Sequence, residues 1–360
     1  MQAIIAEMQK TPMFYLFSSS RELFHSNFWA WLFTLNQSET LSILGVKNTF
    51  GNEILNLERE ERFSSKKENN DEYKAIADVT FKSANELKAL VENKVKDFPT
   101  KEQLDRIYEA CNSSRTQFIV ATLFAFEGMN YGQYWTIRTY KEIAESIKST
   151  SFTNDTYYRN LIEDYQKFML LLSEFAEHQD LKVSEQYDFS RIHKSKLFNE
   201  LDKVKLSQAF LKMRSSHLML KFNEYKKVKP KLQDIEAGYS IAASSQDACI
   251  TFALKLVGEY RIGIQIEGNN LRRFVSVGSS SANIDDFARK ILNSNFDFFD
   301  TELKRKRKGK NDEEIFYTYT NFRYQNFTLT EKAFSDLFDR ISREFEAIEQ
   351  NKQLILSCVP

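Results

Sequence analysis

Asp78 stands inside one apolar run, Tyr73 to Phe81, and Glu92 and Lys94 stand inside the next, Leu87 to Val95. A strand that buries Val91 and Val95 does not gather two acids and a lysine without reason, because charge in a core is costly unless it is paired or bound to a metal. Two carboxylates and one ammonium converging on a sheet are what metal-assisted hydrolysis of a phosphodiester needs. The acids hold the cation, and the lysine acts on the attacking water or on the charge that develops.

Strand side chains alternate between faces. Glu92 and Lys94 therefore share one face, and Val91, Asn93 and Val95 the other. In the preceding run Ile76, Asp78 and Thr80 share a face, with Ala77, Val79 and Phe81 opposite. The connection Lys82-Ser83-Ala84-Asn85-Glu86 is polar and of hairpin length. Pairing Phe81 with Leu87 sets Asp78 opposite Leu90 and diagonal to Glu92, about 7–8 Å apart at the backbone, close enough to share a divalent cation. A shift of register by two keeps the faces. The plainer reading of the same residues is a surface salt bridge across two strands, worth little energetically.

The elements around these residues follow from periodicity. Leu23, Phe24, Phe28, Trp31 and Leu32 fall at helical spacing after a serine cluster, so a helix is expected from about Ser20 to Phe33. A strand from Leu55 to Phe63 and a polar loop from Ser64 to Glu72 lead into the Asp78 strand. After Pro99 a helix should carry Gln103, Leu104, Ile107 and Tyr108. Thr116 to Phe124 is an apolar strand, Tyr134 to Arg138 a short one, and Tyr140 to Ile147 and Tyr157 to Glu177 are helical. Polar Glu177-His178-Gln179-Asp180 marks a boundary, which gives domains at 1–180 and 181–360. In the second, α+β half, Leu197 to Phe222, Asp285 to Leu292 and Thr330 to Ile348 are helical. Cys249 to Leu256 and Tyr260 to Glu267 form a hairpin, and Leu271 to Val277 is a third strand. No internal repeat is evident.

In this order the residues resemble the PD-(D/E)XK nuclease superfamily. The resemblance is closest to a bacterial branch whose first helix carries an acid-hydrophobic-x-His-Ser signature and a Trp-Leu pair, here Glu22-Leu23-Phe24-His25-Ser26 and Trp31-Leu32. The branch continues with a Glu-Asn-Lys triplet, here Glu92-Asn93-Lys94, and a helix opening Gln103-Leu104 and reaching Tyr108. The resemblance spans roughly the first half of the chain, and the proline of the family signature is Ala77 here. It implies an α/β (α+β) class with a restriction-endonuclease-like αβββαβ core on a mixed sheet. It also implies a metal-dependent nuclease in which Asp78, Glu92 and Glu22 ligate Mg²⁺ or Mn²⁺. Lys94 would serve the water or the transition state, and Gln103 would stand at the metal edge. DNA is the substrate it implies before RNA, with defence against foreign DNA or repair as analogies of family alone. The other reading of Glu22 is a charge at a helix N-terminus, that of His25 a packed histidine and that of Gln103 a surface amide, while Tyr108 has only a packing role. A catalytically silent protein that binds nucleic acid and retains the fold is the competing function.

Composition narrows the field. Net charge is zero, so no whole-chain field draws in nucleic acid and a basic surface must be local. Only 10 Gly and 4 Pro among 360 residues favour long uninterrupted elements, and 31 Phe make an aromatic core. Three distant cysteines are no disulfide framework and suit a reducing cytoplasm. Four histidines lack zinc spacing, no apolar run approaches membrane length, and no signal peptide is evident. From Lys203 to Lys231 nine basic residues, among them Lys205, Lys212, Arg214 and Lys221, meet one acid, Glu224. Lys304, Arg305, Lys306 and Arg307 open a second cluster expected in a turn. Both are candidates for binding phosphates, against the simpler readings of a solvated helix face and an exposed loop.

Overall fold

The molecule, seen here in a computed structural model, is described at residues 2–11, 13–14, 16–17, 22–47, 49–51, 53–66, 72–84, 86–95, 101–111, 115–123, 125, 131–178, 196–204, 206–241, 248–267, 270–278, 283–294, 296–299, 303–305, 322–328 and 333–360. It divides into two compact units, Met1–Gln179 with Glu200–Ala209, and Asp180–Asn199 with Phe210–Pro360. The class is mixed α+β, with a mixed five-stranded sheet and a second, antiparallel sheet.

The first unit contains helices α1 (Gln2–Lys10), α2 (Glu22–Leu35) and α3 (Gln37–Ile43), then strands β1 (Asn56–Lys66), β2 (Glu72–Ser83) and β3 (Glu86–Lys94). Helix α4 (Lys101–Cys111), strands β4 (Gln117–Thr122) and β5 (Trp135–Thr139), and helices α5 (Tyr140–Ser146), α6 (Ser149–Phe152) and α7 (Thr156–Glu177) follow. The sheet order is β1-β2-β3-β4-β5. β1, β2 and β3 pair antiparallel, and β3, β4 and β5 pair parallel. A parallel pair needs a crossover, and α4 supplies the one from β3 to β4. Its Leu104 and Ile107 pack with Leu90, Phe118, Val120 and Trp135 on one face of the sheet, with Tyr108 packed against that cluster. On the other face Phe33 of α2 meets Phe81, ring centroids 5.4 Å apart. Helix α7 backs α2 through the stacked Phe28–Tyr165 pair at 3.8 Å. Its N-cap is Asp155, which accepts from the Tyr158 N–H, and α5 starts on a capping box of Thr139 and Glu142.

Two boundaries differ from the sequence expectation. β1 continues to Lys66 and β2 begins at Glu72, so both ends of the polar stretch read as loop are strand, and residues 67–71 lie outside the described residues. β1 is the edge of its sheet, and an edge strand with one open side tolerates the polar run Glu60 to Lys66.

The remaining elements are α8 (Lys196–Lys203), α9 (Ser207–Lys227), β6 (Ile235–Ile241), β7 (Ala248–Lys255), β8 (Tyr260–Glu267) and β9 (Asn270–Val277). They continue with α10 (Ile284–Leu292), β10 (Lys304–Arg305), β11 (Phe322–Thr328), α11 (Phe334–Gln350) and α12 (Lys352–Cys358). The antiparallel sheet runs β10-β11-β9-β8-β7-β6. The expected hairpin and third strand are β7, β8 and β9. The expected helix at 197–222 is two helices, and Lys304 and Arg305 form an edge strand rather than a turn. Gly263 lets β7 and β8 approach, since a Cβ there would lie 2.1 Å from the Phe252 carbonyl oxygen. Phe222 packs on Phe252 and Phe338, and Tyr260 on Phe287. Among the described residues no helix is long and apolar enough to cross a membrane.

Candidate active site at the fork between two strands

The β2–β3 ladder runs from Ser83↔Glu86 to Val79↔Val91, with a bulge between Phe81 and Lys82. Phe81 faces Ala89, not Leu87 as the hairpin length suggested. A two-residue turn with Ala84 at φ 47° closes the strands more tightly than expected, and the bulge adds a further step. The net shift of two brings Asp78 to the ladder position after Val79, level with Glu92. There the strands part. Glu92, Asn93 and Lys94 pair with Val120, Ala121 and Thr122 of β4, while β2 continues along β1 with Ala77↔Glu61.

The strict alternation expected of β2 is also broken at this point. Thr80 lies opposite Leu90, and directly opposed residues share a face. Ala77, three residues earlier, packs with the same Leu90 and with Leu104. Ala77 is therefore not on the face of Phe81, and the pleat loses a step around Asp78. On the neighbouring strand Glu60, between the pairs Arg59↔Val79 and Glu61↔Ala77, takes φ 51°, a left-handed conformation uncommon for a non-glycine residue.

The fork is closed by side chains. Asp78 Oδ2 accepts the backbone N–H of Asn93 at 2.7 Å. A carboxylate thus serves a strand N–H where the neighbouring strand has turned away. Glu92 is only 2% exposed. Its Oε1 accepts from Lys94 Nζ at 2.8 Å and from Gln103 Nε2, at the start of α4, at 2.9 Å. This ion pair is buried and lies within β3, unlike the surface pair across two strands of the plainer reading, with Lys94 itself 13% exposed. Buried pairs are poor stability devices, because apolar residues of equal volume often do as well or better.

Sequence reasoning overlooked the group that holds this arrangement. Asn93 is fully buried; its Nδ2 donates to Ser26 Oγ of α2 at 3.3 Å, and its Oδ1 accepts from the Tyr140 hydroxyl of α5. Asn93 thus ties α2 and α5 to the strand whose N–H positions Asp78. The signal was present in the Glu-Asn-Lys triplet and the His-Ser pair, where only the charged members were given roles.

His25 is fully buried, with Nδ1 2.9 Å from the Tyr165 hydroxyl and its ring 4.7 Å from that of Tyr140. Burial pulls its pKa from 6.5 down to about 3. It is a packed neutral imidazole and not a base. Between pH 6.5 and about 3 the unfolded chain takes up a proton that the folded chain refuses. The stability due to the neutral ring is complete above 6.5 and falls with pH by up to about 1.4 kcal/mol per unit. Urea unfolding of the parent should therefore lose stability from pH 6.5 to 4 more steeply than that of His25→Phe. Equal slopes would contradict the burial argument.

Glu22 is the first residue of α2, one turn before Ser26, and its side chain lies outside the described residues. Among the described residues no group of three or more His, Cys, Asp or Glu is placed to hold a metal ion. Mg²⁺ is commonly held by one or two carboxylates, with water and substrate phosphate completing the shell. Asp78 and Glu92, with hard oxygen donors at one fork and a formal excess of negative charge after Lys94 is counted, fit that pattern.

Lys203 pairs with Glu200 at 2.8 Å and Lys221 with Glu224 at 3.3 Å. Helix α9 exposes no described side chain from Ala209 to Phe222, so Lys212 and Arg214 are half-buried rather than on a solvated face. Arg214 lies over the Phe210 ring, its stem along apolar surface. Lys205, Lys306 and Arg307, and the side chains of Lys304 and Arg305, lie outside the described residues. Comparison with protein families, curated proteins and solved structures found no match to the chain.

Proposed function

We propose that the chain is a divalent-metal-dependent nuclease whose active centre is the β2–β3 fork, in a restriction-endonuclease-like core. What carries the reading is the buried Glu92 carboxylate, shared by Lys94 and Gln103 beside Asp78 where the β2–β3 pairing ends. The element order α2, β1, β2, β3, α4, β4 and the parallel β3–β4 pair support it, as does the resemblance of the helix and triplet residues.

In this reading Asp78 and Glu92 would hold Mg²⁺ or Mn²⁺, and Glu22 of α2 would join them. The cation, when bound, supplies Lewis-acid stabilisation of the scissile phosphate and a more acidic water. Lys94, whose ammonium lies 2.8 Å from Glu92 Oε1, would serve the attacking water or the charge that develops on the phosphate. Gln103 orients Glu92 and offers its amide to water or a phosphate oxygen. Asn93, through Ser26 and Tyr140, keeps Asp78 in place.

DNA is the favoured substrate. Supercoiled DNA, linear duplex, single strands and RNA, each incubated with and without Mn²⁺, form the test. Metal-dependent cleavage of at least one is expected. Binding without cleavage of any would favour the silent nucleic-acid-binding alternative.

A second expectation concerns the basic segment. If Lys203, Lys205, Lys212 and Lys221 follow a phosphate backbone, neutralising them should weaken binding and reduce the salt slope by about 0.9 for each duplex phosphate that the protein ceases to neutralise. An unchanged slope would assign them to ordinary protein surface.

A further inference from the structure

A cleft of about 410 Å³ opens in the second unit, between α11 and the segment after α10. Arg340, Arg343, Glu344 and Ala347 follow one another at helical spacing along α11 and present one face to it. Ala347, with its short side chain, leaves the room.

The charges in this cleft are unequally used. Glu344 is 4% exposed and is clasped by two guanidinium groups. Arg273 grips it in a fork, Nε to Oε2 at 2.8 Å and Nη2 to Oε1 at 2.9 Å, and Arg340 Nη2 adds a bond to Oε1 at 2.7 Å. Arg273 is spent on structure. Its Nη1 donates to the Phe298 carbonyl at 2.7 Å, and its plane lies over the Phe298 and Phe327 rings. Arg340 is engaged only in part, through its Nη2 bond to Glu344. Its Nε is buried and makes no hydrogen bond among the described residues. Arg343 stands exposed at the same cleft, three residues along the helix. With Asp297 included, three arginines face two carboxylates, a surplus of one positive charge.

We propose that this cleft binds a phosphate group, with Arg340 and Arg343 as its ligands and the Arg273–Glu344 fork as the frame that holds Arg340 in place. Guanidinium donors match the geometry of tetrahedral oxyanions. The volume falls within the range of small-molecule sites and exceeds what the bare ion needs. The site is independent of the activity assigned to the first unit. Its phosphate could belong to a free phosphorylated metabolite or to the end of a nucleic acid, and the test separates the two.

The full chain is titrated by calorimetry with inorganic phosphate, with a nucleoside monophosphate, and with a short oligonucleotide bearing a 5′-phosphate or a 5′-hydroxyl. The same titrations follow on Arg343→Ala and on Arg340→Gln, after circular dichroism shows both folded. Arg343 is exposed, so its removal tests binding without disturbing the frame. Binding of at least one phosphate probe, weakened about tenfold or more in Arg343→Ala, supports the proposal. Preference for the 5′-phosphate over the 5′-hydroxyl assigns the site to a nucleic-acid end, and binding of the small probes alone assigns it to a metabolite. Failure of every phosphate probe to bind the parent, or affinities unchanged in both variants, would overturn it.

Discussion

Lys94→Ala should cut the rate of cleavage by about 10²–10⁴-fold, the loss expected for a group acting in the transition state, while binding Mn²⁺ at least as tightly as the parent. The ammonium lies 2.8 Å from Glu92 Oε1 and neutralises it. Removing it leaves the two acids more attractive to a cation. Breaking a buried pair also costs stability, on the order of 3–5 kcal/mol when one charge is left behind. Gln103 still donates to the same oxygen and moderates that loss. Circular dichroism and a melting curve must therefore precede the kinetics, and Lys94→Arg, which keeps the charge, provides a folded companion. Near-parent cleavage by Lys94→Ala would remove the lysine from the mechanism.

Asp78 should behave differently, and its two obvious substitutions should differ from each other. Both Asp78→Ala and Asp78→Asn remove the charge of a proposed ligand, so both should lose cation binding and cleavage together. Asp78→Ala also removes the acceptor for the Asn93 N–H. Leaving that buried group unmade should lower stability by about 1–3 kcal/mol. Asp78→Asn keeps an amide oxygen at the same place and should lose much less. Chemical unfolding measures the stability difference, and calorimetry with single-turnover cleavage measures the shared functional loss. An Asp78→Asn protein that still binds Mn²⁺ and cleaves would confine Asp78 to a structural role.

Much of the first unit was legible in the sequence because its signals are local. The helical spacing from Leu23 to Leu32 and the apolar runs around Asp78, Glu92 and Ile119 each report on a few neighbouring residues. The fork was not legible. It depends on a turn of two residues, a bulge at Phe81 and a left-handed Glu60, none of which leaves a pattern in hydrophobicity. Asn93 was passed over because an amide between two charged residues looks like an inward-facing strand position. Its partners Ser26 and Tyr140 are distant in the chain. In the second half the central strands β7, β8 and β9 follow one another through short turns and were readable. β6 and β11 were missed. β11 pairs with β9 across a long separation, and its sequence, Phe322-Arg323-Tyr324-Gln325-Asn326-Phe327-Thr328, carries polar residues that the ladder buries. Arg323 and Gln325 are buried there. In α9, where the lysines suggested phosphate contact or a solvated face, Lys212 and Arg214 are half-buried and no described side chain from Ala209 to Phe222 is exposed.

The central claim is that the fork is a metal-dependent hydrolytic centre built on the Glu92 carboxylate. Its most direct test is the cleavage rate of the best substrate as a function of Mn²⁺ concentration, in the parent and in Glu92→Gln, which keeps the shape and the hydrogen-bonding oxygen but removes the charge. The expected result is a rate that saturates with Mn²⁺ in the parent, vanishes on chelation, and falls by orders of magnitude in Glu92→Gln at every concentration. Cleavage that survives chelation, or that Glu92→Gln carries out at the parent's rate, would contradict it.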